Sequence, residues 1–206
     1  MRLPRLRTAA LVLTAALAAP RPASARVVRV VVDRREDVGA VAGAPAYERL
    51  TGRVFFAFDP RNPQNRRIVD LALAPRNARG EVEAWAEFSM LRPRDPARAS
   101  GVTLLDVVNR GGVTTGVFHL DARRGAAPTD SAAYGDALLL RRGLTVVALG
   151  WQWDILPDAP GLHFHPPVAG SAARPVTGLV RSDVTVDAPT RTIPLGHRVG
   201  ASEALG

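Results

Sequence analysis

Residues 101–112 have the sequence GVTLLDVVNRGG, and residues 138–154 have the sequence LLLRRGLTVVALGWQWD. Within them, Val102–Val108 and Leu144–Gly150 are nearly continuous in apolar residues, which is typical of strands covered on both faces. Because parallel strands need a crossover of a dozen or more residues, this spacing predicts two buried parallel strands joined by a right-handed connection.

The connection itself has the composition of a helix over Ser131–Gly143. Ser131 is a candidate N-cap, and Gly143 stands where a C-cap glycine belongs. A strand, a crossover helix and a parallel strand together predict an α/β fold, in which ligands bind beyond the carboxyl ends of the strands.

The loops that follow the two predicted strands contain the candidate site. Two adjacent glycines allow positive φ angles and a close backbone approach, and free N–H groups there can bind a developing oxyanion. A plain flexible turn explains the same glycines equally well. The candidate residues are Gly111 and Gly112 for the oxyanion loop, and Asn109, Trp151, Gln152 and Asp154 for substrate binding.

The part of the chain before this unit is predicted to be rich in strands. Val27–Asp33, Gly52–Asp59 and Arg67–Pro75 have strand composition. Glu81–Pro93 alternates between apolar and polar residues, which indicates a half-buried strand with an antiparallel neighbour. Near the other end, Val176–Leu195 is predicted to form a β-hairpin that turns at residues 187–190.

The first residues have the features of a secretory leader. A basic start precedes the apolar run Thr8–Ala19, and the small residues Ala23 and Ala25 match a cleavage pattern. We expect export, with cleavage after Ala25, and no membrane anchor, because the apolar run is shorter than the roughly 20 residues that span a bilayer. The expected organisation is a leader over residues 1–25, a domain portion over 26–157, and a loop with a hairpin insertion over 158–206.

Composition excludes several classes of function. Every basic residue is arginine, and beyond the leader 23 basic residues face 19 acidic ones, so the excess positive charge is small. The arginines are scattered and no aromatic-interleaved basic stripe exists, so we expect no nucleic-acid partner. The chain has no cysteine, which excludes thiol catalysis and a disulfide framework.

Two further patterns bear on catalysis. His163 and His165 have a spacing that metal sites use, but the proline-rich surroundings favour two solvated histidines, and a third ligand would have to be His119, Asp158 or His197. We therefore expect no metal and no cofactor. The serine elbow G-x-S-x-G is absent, and Ser171, the nearest approach to it, has alanines in place of both outer glycines.

The order of these elements resembles the opening half of an α/β-hydrolase. More narrowly, it is similar to a family of exported bacterial α/β-hydrolase-domain proteins, and this resemblance covers residues 47–83, 105–112, 139–154 and 176–186. The resemblance implies an incomplete α/β-hydrolase-type sheet with a β-hairpin insertion. It places Gly111 and Gly112 in the loop that supplies an oxyanion N–H, while no residue matches the nucleophile, acid or base.

The expected function is therefore that of the N-terminal portion of an exported serine-esterase-type hydrolase. Its parent acts on a small ester-like substrate, whereas this chain, without a catalytic triad, is inactive alone. Self-association through an unfinished sheet edge is a further expectation. The alternative from another class is a secreted β-rich binding module without enzymatic activity.

Overall fold

The structure, a computed structural model, describes residues 25–155, 160–170, 176–179 and 185–192. In these ranges there are six strands: β1 (Ala25–Asp37), β2 (Tyr47–Phe58), β3 (Val82–Pro93), β4 (Thr103–Val107), β5 (Thr145–Leu149) and β6 (Phe164–His165). They form one sheet in the order β1-β2-β3-β5-β4, and β6 also pairs with β3. Short 3₁₀ turns cover Pro63–Arg67, Leu71–Leu73, Pro96–Arg98, Thr115–Phe118 and Ser131–Tyr134, and one α-helix, α1, covers Leu138–Arg141.

Antiparallel pairing dominates the sheet, as β1 pairs with β2, β2 with β3, and β3 with both β5 and β6. The predicted alternation of Glu81–Pro93 is confirmed in β3. Val82, Ala84, Ala86 and Phe88 are buried on one face, because a period of two places alternate residues on the same side of a strand.

The predicted parallel pair is also present. β4 and β5 run parallel, from Thr103 opposite Thr145 to Val107 opposite Leu149. Gly143, directly before β5, has a φ of 68°, so it takes the left-handed conformation expected for a glycine that ends a helix.

The predicted α/β fold class is nevertheless wrong: the described sheet is mostly antiparallel and carries almost no helix. The helix expected over Ser131–Gly143 is broken in its middle, where Gly135 has a φ of 46° and Ala137 a φ of 53°. A residue with a positive φ cannot continue a right-handed helix, so only a 3₁₀ turn and the four residues of α1 form. No helix in the described part covers β4, whose Leu105 and Val107 are about half exposed rather than buried.

The core lies between the sheet and the crossover segment. Tyr47, Tyr134, Leu140 and Val146 belong to one buried cluster, and the side chain of Leu140 is fully buried. The apolar residues of the crossover therefore pack against the sheet without forming a long helix.

The strand predicted over Arg67–Pro75 is wrong as well. The segment folds into 3₁₀ turns, since Asn65 donates a hydrogen bond from Nδ2 to the Asp59 carbonyl at 2.8 Å and Asp70 takes a left-handed φ of 57°. Leu71 and Ala74 then pack against Val82 in a second, smaller cluster.

Two predicted features fall partly or wholly outside the described residues. The leader, residues 1–24, is one of them. Of the predicted hairpin, residues 180–184 and 193–195 lie outside, and the described stretches 176–179 and 185–192 contain no strand.

Candidate functional site

The parallel pair delivers two loops to one edge of the sheet. β4 leads into Val108–Val113, and β5 leads into Gly150–Asp154. The N–H of Val108 donates to the Leu149 carbonyl at 3.2 Å, so the two chains stay paired up to the start of the loops. The loops that the sequence singled out as a candidate site therefore start side by side.

The glycine loop is a tight turn closed by its own backbone. The N–H of Gly112 donates to the Asn109 carbonyl at 3.1 Å, while Arg110 and Gly111 have φ angles of 52° and 78°. Gly111 is buried, and a Cβ there would lie 3.1 Å from Leu162 N, whose N–H donates to the Gly111 carbonyl at 3.1 Å. A close backbone approach thus requires glycine at 111, and the approaching group is backbone from the same chain.

Gly112 has a different environment from Gly111. It is exposed, and the nearest atom to a Cβ built there is the Asn109 carbonyl oxygen at 3.6 Å. Since this N–H already donates within the turn, it can serve an oxyanion only by exchanging that bond.

Arg110 ties the two loops together. Its N–H donates to Oε1 of Gln152, and its guanidinium forms an ion pair with the carboxylate of Asp154. Gln152 and Asp154, predicted as substrate-binding residues, therefore hold the glycine loop in position. Sequence reasoning missed Arg110, although a charged residue inside a glycine turn, with an aspartate in the facing loop, was a usable signal.

The remaining predicted residues face solvent. Asn109 is exposed, and Trp151 is 61% exposed. Trp153, which was not among the predicted residues, is 69% exposed. This exposure indicates that neither Trp151 nor Trp153 closes the core, because a tryptophan that does so is mostly buried.

A wide depression of about 620 Å³ begins one residue after Gly112. Val113 and Thr114 line it at the glycine loop, and Arg123 and Arg124 line it further along the crossover. The Asp106 carboxylate fixes this wall, since it accepts hydrogen bonds from the backbone N–H of Thr114 at 2.8 Å and from its hydroxyl. A volume of this size is in the range of small-molecule sites.

His163 and His165 are packed against β3, so the prediction of two solvated histidines is wrong. Nδ1 of His163 lies 3.0 Å from a carboxylate oxygen of Glu87, which also accepts the backbone N–H of His163 at 2.9 Å. The His165 ring stacks on Trp85 with its centroid 3.6 Å away. Burial lowers the pKa of His165, because a low-dielectric environment disfavours the charged ring.

The third candidate ligand, His119, lies elsewhere. It is 7% exposed, its ring meets Tyr134 edge-on at 5.7 Å, and burial lowers its pKa. Among the described residues no group of three or more histidine or acidic side chains is placed to hold a metal ion. Asp158 and His197 lie outside these residues.

A separate apolar pocket of about 190 Å³ lies where β3 meets the turn after β2. Leu71, Val82 and Phe164 are among its lining residues. The sequence analysis missed this pocket, because it predicted a strand over Arg67–Pro75. The segment instead forms 3₁₀ turns, and residues of these turns line the pocket.

No protein-family model matches the chain, and no curated protein or solved structure matches it either.

The helical segments of the described residues are all too short to cross a membrane.

Proposed function

We propose that this chain is the N-terminal portion of an exported ester hydrolase, to which it supplies an oxyanion loop and the elements of a substrate pocket. The proposal concerns β4, β5 and the loops after them, and it does not need an α/β fold class. It combines this local geometry with the resemblance noted in the sequence.

One observation carries the proposal: Arg110 joins the glycine loop to Gln152 and Asp154 at the edge where the two parallel strands end. A free backbone N–H held in place stabilises a developing oxyanion by about 3 kcal/mol in acyl-transfer enzymes. The Gly112 N–H would first have to exchange its bond to the Asn109 carbonyl. The adjacent 620 Å³ depression has room for a small ester.

In the proposed function, this chain does not supply the catalytic nucleophile. Its sequence contains neither cysteine nor the elbow G-x-S-x-G. Oxyanion donors without a nucleophile cannot form an acyl-enzyme, so the chain alone is inactive.

The test of inactivity uses p-nitrophenyl acetate and the purified chain. We expect hydrolysis at the rate of buffer alone. Turnover above that rate contradicts the proposal, and a Ser171→Ala variant then shows whether Ser171 is the nucleophile.

The test of the oxyanion role uses methyl ethylphosphonate, whose tetrahedral anionic centre mimics the intermediate, and follows backbone amides by NMR. We expect the Gly112 amide to shift with saturation. Gly80 and Gly101 serve as internal controls, because they lie in distant open turns with positive φ. Equal shifts at all three glycines, or none at Gly112, speak against the role.

Export is part of the same proposal. β1 begins at Ala25, and Arg26 forms an ion pair with Glu81, so cleavage after Ala25 removes one strand residue and keeps this contact. Mass spectrometry of the exported protein should find Arg26 as its first residue.

The second candidate function is a secreted β-rich binding module. The mostly antiparallel sheet and the 190 Å³ apolar pocket favour it. A monomer that melts cooperatively and binds a ligand without turnover or Gly112 shifts supports the module instead.

A further inference from the structure

We infer that the apolar pocket at the end of β3 binds a small, uncharged molecule about the size of one aromatic ring. This inference goes beyond the proposed function and does not depend on ester hydrolysis. It uses a different part of the sheet from the glycine loop.

Three parts of the chain build the pocket. Val82 and Ala84 of β3, both nearly fully buried, contribute from the sheet. The turn after β2 contributes Leu71, and the segment around β6 contributes Phe164 and Pro166. Residues more than 80 positions apart therefore face the same space.

Hydrogen bonds outside the pocket hold these parts in place. The N–H of Gly170 donates to the Leu73 carbonyl at 3.1 Å, which ties the segment after β6 to the 3₁₀ turn. Asn65, 4% exposed, fixes the preceding 3₁₀ turn, Pro63–Arg67, through the Asp59 carbonyl. These bonds hold the lining segments in fixed positions, and a lining that is held in place reduces the ordering cost of binding.

The chemistry of the lining selects the ligand. Eleven of the twelve lining residues are apolar, and the other is Asp70. A bound water needs two to four polar partners, which such a lining offers poorly, and an enclosed apolar cavity of about 150 Å³ that binds benzene sets the size scale for this more open pocket. The 190 Å³ here leaves room for one ring with a small substituent, and the carboxylate of Asp70 disfavours anions.

The experiment titrates toluene into the full chain and records saturation-transfer NMR and the melting temperature. Benzoate is the matched probe, since it has the same ring and a negative charge. We expect saturable toluene binding, a rising melting temperature, and benzoate binding at least about tenfold weaker. No toluene binding by a cooperatively folded protein, or equal binding of benzoate, overturns the inference.

A pair of variants locates the site. Ala169→Leu fills the pocket from its rim and should weaken toluene binding at least about tenfold. Ala72→Leu makes the same change at an exposed position outside the pocket and should bind as the parent does. Equal affinities in both variants place toluene elsewhere and overturn the assignment. If Ala169→Leu does not melt cooperatively, the inference is tested by the comparison of toluene with benzoate binding to the parent chain.

Discussion

At the residue scale, the two tyrosines of this chain are the groups expected to make its stability depend on pH in the alkaline range. Tyr47 and Tyr134 are 2% and 5% exposed, and their hydroxyls donate to the carbonyls of Leu144 and Pro128. Burial raises the pKa of each tyrosine to about 12, because the phenolate is poorly solvated in the core. No lysine or cysteine is present, and arginine stays charged throughout this range.

The sign of the resulting pH dependence follows from linkage. An unfolded tyrosine ionises near pH 10.0, and the folded one near 12. The stabilisation is therefore complete below about pH 10 and is lost as the pH rises toward 12. Urea denaturation between pH 10 and 12 measures how steeply the free energy of unfolding falls with pH. Tyr47→Phe should remove roughly half of this slope, and the double variant with Tyr134→Phe nearly all of it.

Each of these Phe variants also loses a hydrogen bond, so its stability at pH 7 should fall by about 1 kcal/mol. This loss of stability is the same at every pH, so it does not change the slope of the free energy of unfolding against pH. An unchanged alkaline slope in the double variant shows that other groups control it.

At the element scale, the edge of the parallel pair depends on one polar connection between its loops. Gln152 accepts the N–H of Arg110, and Asp154 pairs with the Arg110 guanidinium. Loops at the end of a sheet open locally at a lower free energy than its paired strands. This connection, more than the glycines themselves, positions the candidate site.

Gln152→Ala should therefore loosen the glycine loop without unfolding the sheet. We expect amide hydrogen exchange at Arg110 to accelerate about fivefold, the equivalent of about 1 kcal/mol for one hydrogen bond. Amides of β2 and β3 serve as the control and should exchange as in the parent. Uniform acceleration across the sheet indicates global destabilisation and refutes the local role.

At the scale of the whole molecule, the two edges of the described sheet differ. β1 carries Arg29, Arg34 and Arg35, charges that discourage edge-to-edge pairing. β4 has no arginine, lysine or proline, and its Leu105 is 56% exposed. The β4 edge is therefore the expected place of self-association.

Leu105→Lys should weaken self-association by about tenfold or more, because pairing then buries a charge. Val30→Lys is the matched control, since it replaces a valine of similar exposure on the opposite edge. Sedimentation velocity over a concentration series measures both. A parent chain that stays monomeric over the series, or equal effects of the two substitutions, contradicts the expectation.

Several elements were predictable from residues close in sequence. The alternation in β3 reports which face is buried, and the apolar runs of β4 and β5, separated by a crossover, indicate a parallel pair. The positive φ of Gly111 was predictable, but the group that approaches it closely is the backbone of Gly161 and Leu162, and its predicted role toward an oxyanion stays a prediction. The α/β class was wrong because composition over Ser131–Gly143 favours a helix, while positive φ angles at Gly135 and Ala137 interrupt it.

The local sequence alone determined the strand periodicity and the need for glycine at the turn, because both depend on steric limits within a few residues. Only the tertiary structure decided that Arg110 joins the two loops, that the histidines pack on β3, and that an apolar pocket forms at the end of the sheet. Each of these contacts joins residues more than 40 positions apart, and their free energy depends on burial and pairing that no local pattern encodes.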